Sequence, residues 1–561
     1  MYKQVYDPVG GSLGLSTLFA VLPLVTLFAL LGGLRLKAHW AALASLAVAV
    51  IVAVAVYPMP VGQALDAGAE GAAFGLFPIM WIVVCALWIY NMTRESGHFA
   101  VLRRSFASVS DDQRVQAILI AFCFGALLEA LAGFGTPVAI TAVMLIALGL
   151  RPMLAASVGL VANTAPVAFG AIAVPITTLS TVTGLPKDDL GAMVGRQTPL
   201  LALVVPLVLV GMVDGRRGIR QTWPVAVVAG VVFAIGQFAT SNYISVELTD
   251  IVAALASTGA VVAFLQVWHP SGMAVAGRRP AGPGGGRPAV AGGATHDATF
   301  EREALRRSDD HRDTRGEIAA AYAPYLIIVA VFALAQISRL PFKDFLDQRT
   351  AEFTWPGLDV LNAKGEAPLS QTFKLNWASA AGTLLLLSGL LTMAVLRMAP
   401  GRAARVWLRT AFELRWAILT VAAVLALAYV MNLSGQTITI GQWLAGAGGF
   451  FAFLAALLGW FGVAVTGSDT SSNALFGALQ VSAGHKTGLS PTLLAAANSS
   501  GGVLGKMISP QNLAIAAAAV GLGGREGDLF RRVVGWSIVL VLLMCVIVYL
   551  QSTSVLSWMV P

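Results

Sequence analysis

Apolar runs of about twenty residues recur along the chain, near 13–34, 38–57, 73–93, 190–213, 223–242, 250–268, 318–338, 377–396, 416–433 and 533–550. A helix rises about 1.5 Å per residue, so each run is long enough to cross the roughly 30 Å hydrocarbon layer of a bilayer. Four further stretches, 115–149, 153–183, 443–484 and 490–520, are as apolar but are interrupted by Gly, Pro, Ser, Thr or Asn. The pattern predicts an all-α polytopic membrane protein. Composition supports this: 57% of the 561 residues are hydrophobic and 11% charged, against about 25% charged in a soluble domain. In such a chain the net charge of +8 belongs to loops and does not indicate a nucleic-acid partner.

The basic residues set an orientation. Loops 35–38, 94–114, 214–222, 269–316, 397–415 and 525–532, together with Arg151, carry 26 Lys and Arg, whereas the opposite segments carry 8. The richer side is the cytoplasmic one, which places both termini outside, in the periplasm. Arg114 and Arg151 then share a side, so 115–149 must enter and return as a re-entrant hairpin, its tip at Gly133-Phe134-Gly135-Thr136-Pro137. Stretch 443–484 becomes a second hairpin opening the other way, with Gly467-Ser468-Asp469-Thr470-Ser471-Ser472 at its tip.

After each hairpin comes a helix expected to break midway, at Asn163–Pro166 and at Asn498–Gly502. The expectation is therefore about twelve transmembrane helices plus two hairpins, arranged as an inverted repeat of halves 1–268 and 317–561. A Gly/Pro-rich, then mixed-charge linker, 269–316, has the composition of a partly disordered cytoplasmic segment. Broken helices at matching places in inverted halves point to a transporter binding site near the midplane.

On this map Glu129 and Asp469 are the two acids at membrane depth, one in each half. An intramembrane carboxylate costs about 2.5–3.5 kcal/mol on insertion scales and is a functional candidate by default. Both are proton-coupling candidates. Lys506 is placed to hold a substrate carboxylate or to neutralise Asp469. Arg196 is a second cation, either sharing a cavity or snorkelling outward. Thr136, Ser468, Thr470 and Ser471 stand at half-helix N-termini, which attract anions, and the Asn163 and Asn498 amides can bond a substrate hydroxyl.

Several classes are excluded. There is no HExxH and no CxxC, the six His are scattered, and Cys85, Cys123 and Cys545 suggest no disulfide framework, so no metal or other cofactor is expected. Gly505-Lys506 is not a phosphate loop, because Ser500 and Met507 stand where Gly and Ser/Thr would be needed. A membrane-embedded enzyme lacks a catalytic constellation at depth.

The motifs Cys123-Phe-Gly-Ala-Leu-Leu-Glu129, Gly133-Phe-Gly-Thr-Pro137, Asn163-Thr-Ala-Pro166, Met193-Val-Gly-Arg-Gln197, Thr466-Gly-Ser-Asp-Thr-Ser-Ser-Asn473 and Asn498-Ser-Ser-Gly-Gly502 through Lys506 to Gln511 resemble the L-lactate permease family almost end to end. The linker over 275–300 is the stretch that looks unlike typical members. The resemblance implies import of L-lactate, and of D-lactate and glycolate, by proton symport across a bacterial inner membrane. It also implies kinship with transporters that work as homodimers with an elevator domain moving against a scaffold. A sodium-coupled or antiporting carboxylate transporter on the same scaffold is the alternative reading.

The orientation is open to a direct test. In a Cys-free background, single cysteines within 355–365 should react with an impermeant reagent added outside. A cysteine at 105 should stay unlabelled until the membrane is opened, and labelling of 105 from outside would break the assignment of the first hairpin.

Overall fold

Long apolar helices dominate the computed structural model, which describes residues 1–34, 36–110, 112–132, 135–270, 313–336, 348–363, 365–368, 371–522 and 525–561. Among these residues ten helices are long and apolar enough to cross a membrane, or eleven if the bent pair Pro152–Ala162 and Val167–Thr183 is taken as one span. The chain is thus an integral membrane protein with about that number of spans. The expected runs at 190–213 and 223–242 lie in one helical segment, Lys187–Tyr243, which turns at Asp214 and at Gly215, where φ is +60°. Its 57 residues would reach about 86 Å if straight, far beyond one bilayer. It folds on itself instead, and Gly230 leaves room for Ala202 and Leu203 of the first arm.

One boundary differs in a way that matters. The run expected at 73–93 belongs to a helical segment that starts at Val61 and continues to Glu95. This draws Glu70 into the packed interior, where it is fully buried. The all-α expectation also needs amending. The loop after Arg315–Gln336 contains an antiparallel pair, Ala351–Thr354 with Thr372–Leu375, and Val360–Leu361 pairs in parallel with the N-terminal Tyr2–Lys3. Within the expected linker, 271–312 lie outside the described residues. Its end is fastened by Asp313, which accepts two hydrogen bonds from the Arg104 guanidinium at 2.5 and 2.8 Å.

The interrupted stretches form helical pairs. Gln113–Leu131 is followed by Thr136–Ala147, and Phe451–Thr466 by Asp469–Thr487. Gly133 and Phe134 of the first tip lie outside the described residues. Gly135 and Gly467 both take left-handed φ, +83° and +77°, a conformation glycine adopts without a Cβ penalty. Proline at the first turn opens Thr136–Ala147, Pro152–Ala162, Pro491–Gly505 and Pro510–Ala519, where its missing N–H is no loss. The halves interlock: Thr136–Ala147 packs on Pro510–Ala519, and Gly170–Thr183 packs on Asp469–Thr487.

The two expected helix breaks fare differently. The first falls at Asn163–Pro166, with a bend of 65°. Beyond it Ala171, Ile172 and Ala173 have φ of 46°, 58° and 56°. Left-handed backbone costs roughly 1–2 kcal/mol per L-residue, so this turn must be held from outside. Asn473 of the other half does so in part, donating to the Pro175 carbonyl at 3.1 Å.

The second expected break is not there. Pro491–Gly505 is helical through Asn498–Gly502, and the chain departs from the helix only at Lys506–Ser509. The small residues serve contact instead. A Cβ on Gly501 would meet the Ala456 carbonyl at 2.1 Å, one on Gly505 the Trp460 carbonyl at 2.2 Å, and one on Gly459 the Asn498 carbonyl at 1.8 Å. Small residues allow membrane helices to approach this closely.

Gly459→Val should therefore overpack this interface by roughly 1–3 kcal/mol, seen as a lower melting temperature of the protein in detergent. Val at Gly446, whose surroundings are open, should leave the melting temperature nearly unchanged.

Candidate functional site

Glu129 projects from the first hairpin within Gly125–Ala132. One oxygen, Oε2, accepts from the Asn163 amide at 2.8 Å, and the other, Oε1, accepts from Lys506 Nζ at 2.6 Å. Glu129 and Lys506 are 2% and 6% exposed, so this is a buried ion pair drawn from opposite halves of the chain. It is positioned by the two departures from helix: Asn163 ends Pro152–Ala162, and Lys506 opens the short turn after Pro491–Gly505. Gly170 presses on the carboxylate, since a Cβ there would lie 2.8 Å from Oε1.

Asp469 is organised differently. It is the first residue of its helix, and Ser468 caps that helix by accepting from Ser471 N–H. Oδ2 of Asp469 accepts from Ser499 Oγ at 2.6 Å and from the Asn473 amide at 3.4 Å. Oδ1 has no protein partner among the described residues and faces Gly502, whose missing side chain leaves it space.

A cavity of about 610 Å³ joins these groups. Its wall includes Glu129, Lys506, Asp469, Ser468, Thr470 and Ser471, and on the other side the strained backbone at Ala171. It reaches exposed Lys37 and also Trp416, whose ring stacks on His39 at 4.6 Å. Six of the expected site residues thus share one space. Asn163 and Asn498 stand behind the wall: Asn163 holds Glu129, while Asn498 donates to Asn473 Oδ1 at 2.9 Å and accepts from Gln480 at 3.3 Å. Thr136 begins its helix behind the Gly135 cap, and its side chain lies outside the described residues.

Three expectations change. Lys506 pairs with Glu129, whereas its expected partner from sequence is a substrate carboxylate or Asp469. Arg196 is not part of the cavity wall: Nε donates to Asn242 at 2.9 Å and Nη1 to the Met559 carbonyl at 3.0 Å, so it ties a helix to the C-terminal segment. Glu129 and Asp469 are also not alone in depth. Glu70 and Asp250 are 0% and 1% exposed, and Asp250 accepts from Gln237, which also donates to the Ala165 carbonyl at the helix break.

Lys37, His39, Trp416 and Gln511 had no role in the expected site. In sequence Lys37 is a loop charge and Trp416 the start of a span, and nothing local in either segment indicates that they line a cavity with Lys506.

A polytopic helical protein with a solute-sized internal cavity, walled by paired charges at two helix interruptions, has the form of a membrane permease. The chain belongs to the L-lactate permease family, which it matches over residues 16–555. It is 41% identical to the L-lactate permease of Bacillus subtilis over the whole of both chains, and 42% identical to the glycolate permease GlcA of Escherichia coli, covering 98% of each. The solved structure of Neisseria gonorrhoeae MtrF aligns with 87% of this chain and 83% of its own, at 15% identity and a TM-score of 0.45.

The ion pair makes a testable demand. Removing one partner of a buried pair costs about 3–5 kcal/mol, because the other charge is stranded. Lys506→Met alone should lower the melting temperature markedly, and adding Glu129→Gln should recover much of the loss. Recovery by Asp469→Asn and not by Glu129→Gln would show that Asp469 is the partner and overturn the assignment to Glu129.

Proposed function

We propose that the protein imports L-lactate, with D-lactate and glycolate as further substrates, by proton symport across a bacterial inner membrane. The observation that carries this reading is the Lys506–Glu129 contact of 2.6 Å on the cavity wall. Lactate brings a carboxylate of its own. In a buried site Lys506 can satisfy one carboxylate at a time, so lactate displaces Glu129 from the ammonium. Glu129 is then left without its cation, and binding a proton removes the cost of an unpaired buried charge. Substrate and proton enter together because neither is tolerated there alone. The N–H groups at the start of Asp469–Thr487, with the hydroxyls of Thr470 and Ser471, offer further bonds to the anion and its hydroxyl. Asp469, with one oxygen unpartnered among the described residues, is a second place for a proton.

Family kinship supports the substrate class, since full-length relatives carry the names L-lactate permease and glycolate permease. The interlocked halves support the inverted repeat of 1–268 and 317–561 about the linker, with each hairpin re-entering the membrane. The elevator motion, the homodimer and the periplasmic termini stand as part of the same proposal. On this orientation the cavity mouth at Lys37 faces the cytoplasm, and its positive charge favours an anionic solute.

Uptake of labelled L-lactate into proteoliposomes tests the proposal. An inward pH gradient without sodium should concentrate lactate, and a sodium gradient alone should not. The opposite result would install the sodium-coupled alternative. Glu129→Gln should abolish accumulation on the pH gradient while leaving lactate exchange measurable. Lys506→Met, which removes a charge-assisted contact of about 1.5–3 kcal/mol, should weaken lactate binding by roughly ten- to a hundredfold.

A further inference from the structure

Away from the cavity, buried polar atoms gather along one helix seam. Val61–Phe74 packs against Arg415–Ser434. Close approach at three glycines sets the register: Gly68 faces Val430, Gly71 faces Leu425 and Tyr429, and Gly75 faces Ala422. The helices are therefore antiparallel. Glu70 is 0% exposed, and neither of its carboxyl oxygens has a hydrogen-bond partner among the described residues. The Tyr429 hydroxyl, on the facing helix, is likewise buried and unpartnered.

The same holds further along the seam for Gln63 Oε1, one heptad before Glu70, and for Asn432 Nδ2, three residues after Tyr429. These spacings keep each pair on one face of its helix. The seam ends where the N-terminal segment docks, with Tyr2 Oη donating to the Ser434 carbonyl at 2.9 Å and Gln4 Nε2 to the Asn432 carbonyl at 2.9 Å.

An ionised carboxylate with no cation and no donor is not tolerated in a protein interior. Among the described residues, the cationic groups on the packed elements are remote. Arg415 is fourteen residues from Tyr429 on its helix, roughly 21 Å. His39 of Ala38–Ala55 stacks on Trp416 at that same far end. Gly75–Met80, which continues the Glu70 helix, has no titratable side chain. Asp66, one turn before Glu70, lies against Gly357. A single metal ion cannot account for the cluster, because Gln63 and Glu70 are separated by about 10 Å of helix rise. Buried polar atoms spread along a seam are the setting in which ordered water bridges side chains.

We propose that Glu70 is a further proton-binding site, a neutral carboxylic acid beside Tyr429 that exchanges its proton through a hydrated seam with the face carrying the N-terminal strand. It is separate from the Glu129–Lys506 pair, and it does not depend on the substrate reading.

Infrared difference spectroscopy of wild type and Glu70→Gln, in lipid at neutral pH, tests this without a transport assay. The variant should lose the C=O stretch of a carboxylic acid. In wild type that band should shift on transfer to D2O, more slowly in Gln63→Leu or Asn432→Leu. Loss of carboxylate stretches in Glu70→Gln would show that Glu70 is ionised and overturn the proposal. An acid band that D2O leaves unchanged would overturn the hydrated seam. Should Glu70→Gln fail to fold, Tyr429→Phe serves: removing the hydroxyl should move the acid band, and an unmoved band would refute the pairing.

Discussion

One ammonium and one carboxylate, 2.6 Å apart and nearly without solvent, are the constraint on which this structure turns. Neither charge is stable at that depth without the other. Each comes from a different half of the chain, so the pair forms only if both non-helical turns arrive at the same place. The interlocking of Thr136–Ala147 with Pro510–Ala519, and of Gly170–Thr183 with Asp469–Thr487, brings them there. A bound carboxylate enters that arrangement as a competitor for Lys506, which is why the geometry links anion binding to the protonation of Glu129 in the proposed mechanism.

The backbone around the pair is held rather than relaxed. Three successive non-glycine residues, Ala171 to Ala173, sit in left-handed conformation on the cavity side. Such strain persists only where surrounding structure over-determines it. Asn473 from the opposite half contributes a hydrogen bond to Pro175, and the same residue contacts Asp469 and Asn498. One amide side chain thus ties the strained turn of one half to the acid of the other. Behind it, Gly459, Gly501 and Gly505 let two helices approach until backbone meets backbone, which keeps Lys506 at a fixed height.

The hydrophobic period made the spans readable, and intramembrane polarity made Glu129, Asp469 and Lys506 readable, because the bilayer penalises both departures strongly. Other features depended on distinctions that composition does not carry. Asn498-Ser-Ser-Gly-Gly502 reads equally as a helix break or as a face for close packing, and only the neighbour at Ala456 decides between them. Glu70 is hidden in the sequence because Val61–Phe74 is rich in Ala and Gly, so the apolar run reads as beginning after it. The partner of Lys506 is out of reach in sequence, since Asp469 is the nearer acid along the chain and Glu129 comes beside it only when the halves are assembled. Arg196 shows the converse: a cation in an apolar run reads as functional until its acceptors, Asn242 and the Met559 carbonyl, are in view.

The exchange of carboxylates at Lys506 is most directly tested by proton stoichiometry at equilibrium. Lactate binding to purified protein, followed by calorimetry in buffers of differing ionisation enthalpy near neutral pH, reports the protons bound with each ligand. The account predicts uptake of about one proton per lactate in wild type and none at that step in Glu129→Gln. Tight binding by wild type with no proton uptake would contradict it, because Glu129 would then leave Lys506 and remain charged.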